Sequence, residues 1–139
     1  MEIQKSLFND AAGKLLLRLG TGGLMIFHGV HKLLYGLDYI GVLLRTHGWP
    51  EFLRYGVFLG EVIAPVMILM GIFVHIAALL IALTMLMSIY LFYGFTAFIL
   101  DQYGALNSQV NLFFFISSLS IFFLGAGNYS IYKGNGKWN

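Results

Sequence analysis

The chain reads as an all-α membrane protein, a four-transmembrane-helix bundle with a short interfacial helix in its first loop. Three observations predict this. Hydrophobic residues make up 59% of the 139 positions and charged residues only 10%, against roughly 25% charged in soluble domains, and the mean hydropathy is +0.82. The apolar residues fall into four runs long enough, at about 1.5 Å per residue, to cross a hydrocarbon layer roughly 30 Å thick. Short polar or Gly- and Pro-containing breaks separate the runs and leave no room for a soluble domain, so a single integral membrane domain over residues 1–139 is expected.

Composition also excludes functions. The net charge of +2 is small and spread without a basic block, so nucleic acid is not an expected partner. The chain has no cysteine, which removes disulfide, iron–sulfur and thioether-haem chemistry. Its first apolar run is long and ends in His-Gly-Val-His-Lys rather than at a small-residue cleavage site, so that run is expected to stay attached as a span.

Residues 1–13 are polar with scattered Ile3, Leu7 and Phe8, an interfacial lead-in in which Asn9 or Asp10 is placed to cap the first helix. The first span, residues 15–35, reads LLLRLGTGGLMIFHGVHKLLY and carries Arg18, His28, His31 and Lys32. A charge at bilayer depth costs about 2.5–3.5 kcal/mol unless it snorkels or finds a partner. On a helical wheel Lys14, Thr21, Met25, His28 and Lys32 all fall within about 80° of Arg18, a polar stripe expected to face other helices. Arg18 and Lys32 taken singly could instead snorkel to the two interfaces.

Gly36 breaks the first helix, and Asp38 opens an amphipathic segment through Ile40, Leu43 and Leu44 that ends at His47-Gly48 and is expected to lie on the membrane surface. Trp49 suits the headgroup level and Pro50 the first turn of the next helix. The second span, 55–73, contains Glu61, with Pro65 expected to kink the helix beside that acid. His75 marks a tight turn before the third span, 76–98, whose only polar side chains are Thr84, Ser88, Tyr90, Tyr93 and Thr96, most of which read as packing hydroxyls. The fourth span, 109–126, opens with Gln109 and Asn111 and carries Ser117, Ser118 and Ser120, small residues that let helices approach. The tail from Gly127 is Gly- and Asn-rich, and its ending is expected to be mobile.

Four spans put both termini on one side, with Lys5, Lys14, Arg18, Lys133 and Lys137 against Lys32, Arg45 and Arg54 on the other. That bias favours both termini in the cytoplasm. His28 and Glu61 each lie six residues, about 9 Å, below the outer ends of their helices. Tyr93, Gln109 and Asn111 approach the same depth, so all four helices can contribute to one pocket in the outer half. The partner of Glu61 is then His28 or Lys32, either as an ion pair that only orders the bundle or as part of a proton-linked ligand pocket. One His and one carboxylate at one level fall short of a metal site, and His75 lies too far from His28 for a bis-histidine haem.

The run LLLRLGTGGLMIFHGVHKL, the Gly-Trp-Pro before the second helix, Gly60-Glu61 within it, Gly71 ahead of an Ala-rich helix and the closing FLGAGNYS together resemble the DoxX family over about residues 13–131. The resemblance implies a four-helix bundle in the bacterial inner membrane, associated with quinone-linked oxidoreductase systems such as the small subunit of thiosulfate:quinone oxidoreductase. Its motif positions fall on Arg18, His28, Lys32, Gly60 and Glu61. The chain departs from the family pattern at His75, where a basic residue, commonly Arg, is usual, and at Tyr132 and Gln109, where acids are often found. Two readings follow. One is a membrane subunit binding a quinone or other small hydrophobic redox ligand, with Glu61 and His28 relaying protons and Arg18, Lys32, Tyr93, Gln109 and Asn111 holding the ligand. The other is a non-catalytic accessory or assembly subunit whose polar groups order the bundle and dock a partner subunit or a second copy. A small-anion transporter would need inverted repeats and broken helices, of which Pro65 is the sole hint.

Overall fold

The computed structural model describes residues 9–139; residues 1–8, which include Lys5 and the apolar residues of the lead-in, lie outside the described residues. Five helices follow in order: α1 (Asp10–Tyr35), α2 (Asp38–Thr46), α3 (Glu51–Met70), α4 (Val74–Phe98) and α5 (Gln109–Leu124). No strand occurs among the described residues. By length and composition α3 and α4 can cross a membrane. The shorter α5 has 16 residues, and α1 has the length, at 26 residues, but carries Lys14, Arg18 and Lys32 within it.

Local chemistry sets these boundaries. The Asn9 carboxamide oxygen accepts from the N–H groups of Ala11 and Ala12 at 3.0 and 3.3 Å, which makes Asn9 the cap. Asp10 instead pairs with Lys14 at 2.7 Å. Gly36, at φ 87°, ends α1 in a conformation open to glycine. The amphipathic segment forms α2 as expected, burying Ile40 and Leu44. Ion pairs from Arg54 to Asp38 (3.2 Å) and from Arg45 to Glu51 (2.9 Å) fasten α2 to the start of α3.

The second apolar helix stops at Met70, three residues short of its expected end, because Gly71 turns left-handed at φ 72°. Ile72 then donates to Met67 at 2.9 Å and Gly71 to Ile68 at 3.1 Å, a Schellman closure. The distortion expected at Pro65 falls one turn earlier, where residues Leu59–Ile63 form a π turn centred on Glu61. Pro65 has no N–H to give to the Glu61 carbonyl four residues back, and the widened turn relieves the crowding ahead of it. His75 lies in the first turn of α4 rather than in the connecting turn, which is made by residues 71–73 with Phe73 left-handed at φ 46°. Its ring bonds the Phe122 carbonyl at 2.5 Å.

The core joins Met25 of α1, Ala64 and Ile68 of α3, Ala77, Ala78, Ile81 and Met85 of α4, and Phe114 and Ile121 of α5. The α4 alanines and the buried Ser117 and Ser118 leave room for α4 and α5 to pack closely. Each of these serines donates to the carbonyl three residues back, Phe114 and Phe115 respectively.

Arg18 neither snorkels nor joins a polar pocket. Its side chain is 1% exposed and surrounded by carbonyls: Nε donates to Ile68 at 2.8 Å, Nη2 to Leu69 at 3.0 Å, and Nη1 to Ala126 and Tyr129 at 2.7 Å each. Two of these oxygens belong to the last turn of α3, where the helix dipole favours a cation, and two to the chain just beyond α5. The tail expected to be mobile is docked over this end: Ile131 donates to Met70 at 3.2 Å and His75 to the Trp138 carbonyl at 3.1 Å. All four terminal carbonyls of α3 are thereby satisfied.

A lysine at position 18 would present one point charge where the guanidinium fork reaches carbonyls of two segments. Arg18→Lys is expected to lower stability in detergent micelles by about 3 kcal/mol, from carbonyls left unpaired, and to make Lys133 and Lys137 susceptible to trypsin. An unfolding midpoint and a digestion rate equal to those of the parent chain would contradict this role for Arg18.

Candidate functional site: a buried ion pair between two cavities

Two glycines bring the helices together at the acid. A Cβ at Gly29 of α1 would overlap the Glu61 carbonyl, and one at Gly60 would overlap the Thr84 side chain of α4. Only Cα–H groups fit at these crossings, so α3 is held against α1 and α4 at adjacent positions. Glu61 is consequently 2% exposed. Lys32 lies three residues beyond Gly29 on the same face of α1. Its Nζ reaches both carboxylate oxygens of Glu61, at 2.5 and 2.6 Å, with the lysine side chain 14% exposed.

The acid's partner is therefore Lys32 and not His28. The His28 ring stands edge-on to Phe114, with centroids 5.6 Å apart, and reaches the surface between α1 and α5. Every buried side-chain nitrogen and oxygen among the described residues has a hydrogen-bond partner.

The ion pair lies in the wall between two cavities. One, of about 240 Å³, is mainly apolar, lined by Ile40 and Leu44 of α2, Val57 of α3 and Leu83, Met87 and Leu91 of α4. The other, of about 220 Å³, is lined by His28, Tyr39, Tyr93 and Asn111 together with Met25 and Phe114. Lys32, Glu61, Ser88 and Phe92 border both. Two π turns flank this wall, Leu59–Ile63 around Glu61 and Ile89–Tyr93 around Phe92, and such turns are frequent at functional sites.

Five of the seven residues singled out in the sequence thus line one cavity: Glu61, His28, Lys32, Tyr93 and Asn111. Gln109 does not. It borders an outer groove between α1 and α5 beside His28, because two residues turn it about 200° around the helix from Asn111. Arg18 lies ten residues, about 15 Å, along α1 from His28, with four of its five donors occupied by carbonyls.

Two residues of the site escaped the sequence reading. Tyr39, on α2, brings a phenol to the polar cavity, and its pKa is raised, first by desolvation and then by the Glu61 charge. Ser88, read as a packing hydroxyl, accepts a hydrogen bond from the Asn111 carboxamide at 2.9 Å. The spacing Thr84, Ser88, Phe92 is a legible signal, since steps of four put all three on one helix face.

A lysine ammonium has three N–H donors and Glu61 takes two. The third can meet an acceptor oxygen entering from either cavity. No group of three His, Cys, Asp or Glu side chains that could hold a metal ion occurs among the described residues.

An all-helical chain with two helices able to cross a bilayer, an exposed apolar exterior and charges sealed between helices defines a membrane protein. The DoxX family profile matches residues 13–94, more than half of the chain, and the protein belongs to the DoxX family. The matched stretch holds Arg18, His28, Lys32, Gly60 and Glu61, and ends before the closing FLGAGNYS. No curated protein and no solved structure gives a significant match to the chain.

Removing one partner of a buried pair leaves an uncompensated charge, at a cost of about 3–5 kcal/mol. Glu61→Gln alone is expected to destabilise the protein on that scale, and Glu61→Gln with Lys32→Met to recover part of the loss. Denaturant titration of the parent, both single variants and the double variant measures the coupling. A double-variant loss equal to the sum of the two singles would show that the pair contributes nothing.

Proposed function

We propose that this DoxX protein is a four-span subunit of the bacterial inner membrane that binds a quinone or similar small redox molecule at the Lys32–Glu61 wall, within a quinone-linked oxidoreductase or detoxification system. The observation that carries this reading is a buried ion pair bordered on one side by an apolar cavity and on the other by a polar one. An uncharged ring with a carbonyl oxygen suits that wall: apolar side chains take the ring and the free N–H of Lys32 polarises the oxygen. His28, together with Tyr39, faces the polar side and exchanges protons between Glu61 and water. Lys32 meets the oxygen of the ligand, and Tyr93 and Asn111 line the polar side of the wall. Electrons come from partner subunits or from a soluble enzyme meeting the membrane surface.

The bundle of α1, α3, α4 and α5 supports four spans, with α2 lying at the outer interface. Among the described residues Lys14, Arg18, Lys133 and Lys137 gather at the end opposite Lys32, Arg45 and Arg54, which favours cytoplasmic termini. Cysteines placed singly at positions 45 and 133 test this in intact cells: an impermeant thiol reagent is expected to label position 45 alone. Labelling at 133 but not at 45 would reverse the orientation.

A second reading, a non-catalytic accessory subunit, is favoured by Arg18, a buried charge with a structural task alone. One variant separates the two. Replacing His28, Lys32 and Glu61 together by Leu, Met and Leu removes the polar groups while keeping volume, and apolar replacement of a whole buried pair is often tolerated. The variant is expected to insert and fold but to lose quinone binding and quinone-dependent activity in membranes that carry its partner. Full activity in that variant would favour the accessory reading.

A further inference from the structure

The two cavities differ in what they open onto. The rim of the apolar one is formed by exposed Leu53, Gly56, Leu83 and Met87, so it opens sideways between α3 and α4, towards the acyl chains in a spanning bundle. The polar one presents a histidine, two tyrosines and an asparagine, groups suited to water and proton exchange. We propose that the apolar cavity is the seat of the ring of a chain-bearing quinone drawn from the bilayer, its oxygen on Lys32 and its chain left in the lipid between α3 and α4. The polar cavity carries water and protons and holds no ring. This assignment rests on the quinone reading above and names the form of the ligand and its route of entry.

Volume limits what enters. An apolar cavity of about 150 Å³ holds benzene, so about 240 Å³ admits one ring with small substituents and leaves the chain outside. Gly56 supports the same route. Unlike Gly29 and Gly60, a Cβ at Gly56 would meet nothing within 4 Å, and its backbone is ordinary helix at φ −60°. Neither helix packing nor backbone strain requires glycine there. Its missing side chain leaves the cavity mouth open.

The chain supplies its own position-resolved probe. Trp49 lines the apolar cavity, whereas Trp138 lies at the far end of the bundle, its carbonyl bonded to His75, and these are the only two tryptophans. The protein in quinone-free vesicles is titrated with a dimethoxy-methyl-benzoquinone carrying a ten-carbon chain. Saturable quenching is expected in Trp138→Phe, which retains Trp49, and not in Trp49→Phe. Gly56→Leu, which fills the mouth without strain, is expected to weaken the saturable phase about tenfold or more, as is Leu83→Trp from the opposite rim, the latter followed by competition against a radiolabelled quinone. Val110→Phe, which intrudes on the polar cavity alone of the two, is expected to leave affinity unchanged. Loss of binding in Val110→Phe with retention in Gly56→Leu and Leu83→Trp would overturn the assignment while sparing the quinone reading. Absence of any saturable phase in the parent protein would overturn both.

Discussion

The structure depends on one crossing, where Gly29 lets α1 meet the α3 backbone at Glu61 and Gly60 lets α3 close onto the Thr84 side chain of α4. Removing a Cβ from each crossing draws α1 onto the backbone of α3 and α3 onto Thr84 of α4. Lys32, three residues on from Gly29, then has a short and unbranched path to a carboxylate that is already sealed. The order of cause runs from backbone approach to burial and from burial to ion pairing. Charge attraction alone would not hold the site: desolvating two ions costs several kcal/mol each, and the attraction repays that only where geometry is tight. The glycines supply the tightness, and Glu61 stands at the centre of the π turn ahead of Pro65.

The chain accommodates its two buried cations by different physics. Arg18 is satisfied by dipoles: four carbonyl oxygens, two at the end of α3 and two in the chain beyond α5, take four of its five N–H donors. Its charge stays positive whatever happens around it, and it borders neither of the two cavities at the Lys32–Glu61 wall. Lys32 is satisfied by a full opposite charge, which neutralises the pair while leaving one donor and the bordering cavities open to a third molecule. A planar fork suits the closing of several chain ends at once, and a compact ammonium suits an exchangeable contact. That contrast separates a residue that holds the fold from one that can do chemistry, although the sequence presents both as cations on the same stripe.

Much of this was legible in the sequence because it follows from helical period and depth. The common level of His28, Glu61, Tyr93 and Asn111 came from counting residues, and all four line one cavity. The choice of Lys32 over His28 as partner was not legible, since it turns on side-chain reach across a glycine contact. Arg18 misled for a related reason: its partners are backbone carbonyls in α3 and in a tail whose composition suggests mobility, and no side-chain pattern records a carbonyl. The motif FLGAGNYS gains its meaning here, because Ala126 and Tyr129 offer their carbonyls to Arg18 while Ser130 packs on Gly71. Gln109 was misplaced by treating depth as sufficient, when the angle about the helix decides which groove a side chain enters. Tyr39 lay beyond reach because α2 was read as a surface element, with no basis for knowing which helix ends it would cover.

A neutral pair set between an apolar and a polar cavity also explains why the site can be stable and still responsive. With both ions present, Lys32 and Glu61 satisfy one another and the buried polar atoms around them all have partners. An acceptor oxygen arriving on the apolar side meets the unused Lys32 donor without breaking the bonds to Glu61, so binding need not expose either charge. Any proton that leaves or joins the pair can do so on the opposite side, where His28 and Tyr39 stand at the same wall. Separation of the two cavities follows from the helix packing itself: α2 and α3 shape the apolar side, α1 and α5 the polar side, and the Gly29 and Gly60 crossings fix the wall between them.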